Sequence, residues 1–72
     1  MDIKTYRQNA EWYVTSMTFF KKLYQEGFLS VADYEMIEAI VANKYGIPRN
    51  STFRSYFLLI LMDINLNIKR VF

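Results

Sequence analysis

EGFLSVADYEMIE, residues 26–38, places a helix stop directly before a helix start. Gly27 can take the left-handed conformation that closes a helix after Glu26, because it has no Cβ to clash. Phe28 and Leu29 then run extended. Ser30 is a strong N-cap, and Asp33 stands three residues on, where a capping box carries Glu. Leu29 and Tyr34 occupy the two positions of a hydrophobic staple. The stretch therefore reads as the tight connection of an antiparallel helical hairpin, with helices at about 3–26 and 31–45.

Upstream, Tyr6, Ala10, Tyr13, Met17, Phe20 and Tyr24 recur in steps of three or four, with Ile3 and Val14 beside them, so one face of the first helix is apolar. Trp12, Phe19 and Leu23 fall on a different face, roughly 100–140° away at the helical repeat. A helix with two apolar faces needs cover on two sides, from a third segment of its own chain or from another protein. Downstream of the turn, Tyr34, Ile37, Val41 and Tyr45 make the expected inner face of the second helix, with Ile40 nearby and Glu35 and Glu38 outside. Lys44 suits the negative end of that helix, and Gly46 and Pro48 end it.

The third segment, about 52–70, admits two readings. Asn50 or Ser51 can cap a helix whose face carries Phe53, Phe57, Ile60, Leu61, Ile64, Ile68 and Val71, with no charge intruding. Against that, DINLNIK (63–69) alternates as a strand does. A lone strand would have to pair between chains, so the helix is favoured. The expectation is an all-α fold in a single small domain spanning 1–72.

Composition limits the chemistry. The 72 residues contain neither Cys nor His, so disulfides, thiol catalysis, the usual transition-metal ligands and the usual neutral-pH acid and base are all missing. That argues against an enzyme and against a metal or other cofactor. Glu26, Glu35 and Glu38 read as a solvated helix face rather than a general-acid pair. The tyrosines read as hydroxyl-tipped core residues rather than a base-stacking platform. Met17, Met36 and Met62 read as gap-fillers. Aromatic residues make up 18% of the chain, which concentrates buried area in few positions. The longest apolar run, YFLLILM (56–62), falls short of the ~18 residues of a membrane span. With no signal-peptide pattern at the N-terminus, a cytoplasmic, soluble protein without membrane or small-molecule partners is expected.

Residues 1–43 carry four bases and six acids, whereas residues 44–72 carry five bases and one acid. Arg49, Arg54, Lys69 and Arg70 in that basic end are the candidate contacts to phosphates or to an acidic partner. They form no cluster, and the plainer reading is a solvated rim.

The run FFKKLYQEGFLSVADYEMIEAIVANKYG, residues 19–46, resembles the SHOCT (short C-terminal) domain and its SHOCT-like relatives. The features that carry the resemblance are a Lys-rich apolar helix, Glu26-Gly27, the apolar pair Phe28-Leu29, Ser30 at the Ser/Thr position, and Asp33-Tyr34 where the pattern has an acidic then an aromatic residue. KYGIPRNSTFR (44–54) and the tyrosine-rich first helix also look like small stand-alone SHOCT-like proteins carried on mobile elements of Gram-positive bacteria. The resemblance implies a non-catalytic bihelical module used for oligomerisation or partner docking. Here a further segment comes after the module, so it is not a C-terminal tail. The expected function is a helical protein-interaction module, self-associating or bound to a protein partner, with Trp12, Phe19 and Leu23 as its interface. The alternatives are a nucleic-acid-binding accessory protein that uses the basic end, or a mobile-element-encoded inhibitor of a host defence protein.

Overall fold

A computed structural model describes the backbone of residues 3–71 and the side chains of residues 3–61. Three helices succeed one another: α1 (Ile3–Gln25), α2 (Val31–Lys44) and α3 (Thr52–Val71). No strand occurs among the described residues, so the third segment is helical. The side chains of Ile64, Ile68, Lys69, Arg70 and Val71 lie outside the described residues.

Both connections are built on glycine. Gly27 has φ +88; Phe28 N–H donates to the Leu23 carbonyl at 2.9 Å, and Gly27 N–H to that of Tyr24 at 3.1 Å. This pair of bonds is a Schellman closure, which satisfies carbonyls left open at the helix end. The same closure ends α2: Gly46 has φ +66, and Ile47 N–H reaches the Ala42 carbonyl at 2.9 Å. The two closures differ in the residue after the glycine. Ile47 is buried, whereas Phe28 is exposed.

The starts of α2 and α3 are capped by serines. Ser30 Oγ accepts from Asp33 N–H at 3.1 Å, and the Asp33 carboxylate accepts from Ser30 N–H at 3.3 Å, which completes a capping box. Of the two expected caps for α3, Ser51 serves: its Oγ accepts from Phe53 N–H at 3.2 Å.

All three helices contact one another. The core contains Ala10, Tyr13, Met17 and Tyr24 of α1, Tyr34 and Ala42 of α2, Ile47, and Phe57, Ile60 and Leu61 of α3. The expected inner face of α1 holds, with Tyr6, Val14 and Phe20 partly buried against it and Ile3 exposed. That of α2 needs correction. Its buried line is Tyr34, Glu38 and Ala42, while Ile37, Val41 and Tyr45 flank it half-buried and Ile40 faces solvent. Glu38, expected on the outside, is 1% exposed.

Because nothing lies within 4 Å of a Cβ placed on Gly27, Gly27→Ala tests backbone conformation alone. Left-handed geometry disfavours an L-residue by about 1–2 kcal/mol. A loss of that size in urea denaturation is expected; an unchanged midpoint would show that the closure contributes nothing.

Candidate interaction site

Glu38 explains where α3 sits. Its carboxylate accepts two hydrogen bonds from Arg54 of α3, from Nε to Oε2 at 2.8 Å and from Nη2 to Oε1 at 2.9 Å. Tyr13 of α1 donates a third, from its hydroxyl to Oε2 at 2.8 Å. One buried carboxylate thus ties all three helices. The fork of a guanidinium matches a carboxylate in two parallel bonds, which fixes the angle as well as the distance. Nearby, the Tyr34 hydroxyl donates to the Phe57 carbonyl at 2.9 Å, and the Tyr13 and Phe57 rings meet edge to face at 5.6 Å. No buried side-chain polar atom among the described residues lacks a partner.

Burial, then the bond to Glu38 and its negative charge, push the Tyr13 hydroxyl well above the usual tyrosine range. Burial and the charge of Glu38 do the same to Tyr34. The bond to Glu38 raises Arg54 further still. Tyrosines raised in this way stay protonated near neutral pH, so both hydroxyls remain hydrogen-bond donors to Glu38 and to the Phe57 carbonyl. No group of acidic side chains among the described residues is arranged to hold a metal ion.

The basic candidates separate. Arg54 is held inward by Glu38, with its side chain 12% exposed, while Arg49 is exposed. Lys69 and Arg70 lie outside the described side chains. Of the two described side chains, one is thus turned into the core and the other outward.

The interface candidates have a clearer fate. Three helices are present, yet Trp12 is 53% and Phe19 59% exposed, and Leu23 is half-buried. The third helix does not cover them because it packs elsewhere. On α1, Lys21 meets Tyr56 of α3, with its ammonium 5.6 Å from the ring centre, and Val14 lines a groove with Phe53. Both lie on the opposite side of the core line from Trp12 at about 100° per residue. On α2, Glu38 faces α3, which turns Ile37 and Ile40 to the other side. Trp12, Phe19 and Leu23 therefore share the flank of the hairpin remote from α3 with Ile37 and Ile40. Ile40 and its neighbour Met36 are both exposed. Among the described residues the Phe19 ring meets that of Phe20, edge to face at 5.3 Å.

The described residues thus form a small three-helix domain clamped by one buried polar node, with an apolar helical surface left open. The chain belongs to the SHOCT domain family, whose model matches residues 2–53. The match takes in all of α1 and α2, both glycine closures and the start of α3. Comparison with curated proteins and with solved structures gave no match. No described helix is long and apolar enough to cross a membrane.

Sequence reasoning missed the Glu38 node. The available signal was phase: Glu38 stands four residues after Tyr34 and four before Ala42, in the middle of the buried line. Removing one partner of such a pair strands the other in the interior, so Arg54→Met is expected to cost about 3–5 kcal/mol in denaturant titration. Combined Glu38→Leu and Arg54→Met should recover most of it; equal losses in single and double variants would mean the pair is not coupled.

Alkaline pH tests the hydroxyls. Folded-state values raised above the unfolded one contribute stability that is fully present below about pH 10 and is lost as pH rises beyond it. Thermal stability should therefore fall above about pH 10, and less steeply in Tyr13→Phe. An identical slope in that variant would remove Tyr13 from the account.

Proposed function

We propose that this chain is a non-enzymatic protein-interaction module that docks a protein partner on the flank formed by Trp12, Phe19, Leu23, Ile37 and Ile40. The observation that carries the reading is the exposure of the indole and of the Phe19 ring in a fold that already has its third helix. Large aromatic residues left on a surface are unfavourable in water and are the residues that most often anchor protein contacts. Their neighbours Ile40 and Met36 extend the apolar area, and the thioether of Met36 adapts to an uneven partner. Membership of a family of small helical domains is compatible with such a role.

A photo-crosslinking residue placed at Phe19 in cells is expected to capture a discrete protein adduct, whereas the same probe at the exposed polar position Glu35 captures none. Trp12→Ala should reduce the adduct by on the order of tenfold, the loss of one aromatic anchor, with the far-ultraviolet circular dichroism unchanged. Failure to form any adduct at Phe19, or equal adducts at both positions, contradicts the proposal.

A further inference from the structure

A second surface lies along the N-terminal half of α1, on the side of its core line away from Trp12. α1 has 23 residues and α2 has 14, so at 1.5 Å per residue α1 is longer by about 13 Å. Its N-terminal half borders a groove of about 770 Å³ lined by Ile3, Tyr6, Ala10, Val14 and, across from them, Phe53 of α3. No α2 residue lines it. Arg7, Glu11 and Thr15 complete the lining. Arg7 and Glu11 stand one helical turn apart, both exposed, and neither has an ion-pair partner among the described residues.

We infer that this groove is filled by the same groove of a second copy, with two α1 helices packed antiparallel about a two-fold axis midway between Arg7 and Glu11. The charge pattern selects that arrangement. With the axis there, Arg7 of each copy faces Glu11 of the other, so both opposite-charge pairs form at once. A parallel pairing in register would instead set Arg7 against Arg7. Two-fold contacts are self-complementary by construction, and a groove with one base and one acid symmetric about its centre meets that condition. Ile3 and Phe53, both exposed, supply apolar surface for the contact beside the charged pairs. Ile3 of one copy meets the Val14–Thr15 turn of the other, which covers the exposed Ile3 side chain. The contact is short, so association is reversible and concentration-dependent. It uses a different surface from the Trp12 flank and does not depend on it.

Sedimentation equilibrium of the full chain tests this with two charge reversals. The wild type is expected to show a monomer–dimer equilibrium. Arg7→Glu and Glu11→Arg should each weaken it by more than about tenfold, because like charges then face each other twice. An equimolar mixture of the two variants should restore dimerisation, since every facing pair is again opposite in charge. Trp12→Ala should dimerise as the wild type does. Circular dichroism of each variant confirms that the fold is retained, and both substituted side chains are exposed. A wild type that stays monomeric, single variants that dimerise normally, a mixture that fails to recover, or loss of the dimer in Trp12→Ala would each overturn the inference.

Discussion

A carboxylate taken out of water must find its hydrogen bonds inside the protein, and Glu38 finds them in three directions at once. Arg54 supplies two and Tyr13 one. An unpaired charge at that position would be too unfavourable for a chain of this length to tolerate. The fold is therefore obliged to bring α3 to the side of the hairpin where Glu38 points. Apolar contacts alone are non-directional and would allow α3 to slide or roll. The two-pronged Arg54 contact, together with the Tyr34 hydroxyl on the Phe57 carbonyl, selects one placement.

That placement has a consequence for the surface. α1 is amphipathic on more than one side, and one further helix can cover only one of them. With α3 held by Glu38 and Arg54, the Tyr13–Met17 line is buried and the Trp12–Phe19 line stays open. The same geometry leaves the N-terminal turns of α1 beyond the reach of α2, where Phe53 forms the far wall of a groove. The exposed apolar regions are thus consequences of the clamp, not defects in packing.

The hairpin was legible in the sequence because its signals are local. Gly27, Ser30 and Asp33 act within a few residues of themselves, and both the helix closure and the reciprocal cap form where those residue types require. The core line of α1 was legible because its period is unbroken from Tyr6 to Tyr24. α2 was read about half a face out, because Ile37 and Ile40 outweighed a Glu whose partner lies 16 positions downstream. A charge buried by a distant partner shows locally only in its phase, here the four-residue steps from Tyr34 to Glu38 to Ala42, which the nearby isoleucines masked. The position of α3 was not legible for the same reason: it is set by Arg54 meeting Glu38. The openness of Trp12 results from that and could be framed from sequence only as a choice between cover by the chain and cover by another protein.

The Arg54 side chain reports on this directly in solution. Nuclear magnetic resonance of the Arg54 Nε–H at neutral pH should show a resonance protected from exchange with water, with through-space contacts to the Tyr13 ring. An Arg54 Nε–H that exchanges as freely as that of a solvated arginine, in a chain that is otherwise folded, would contradict the claim that Glu38 holds the three helices together.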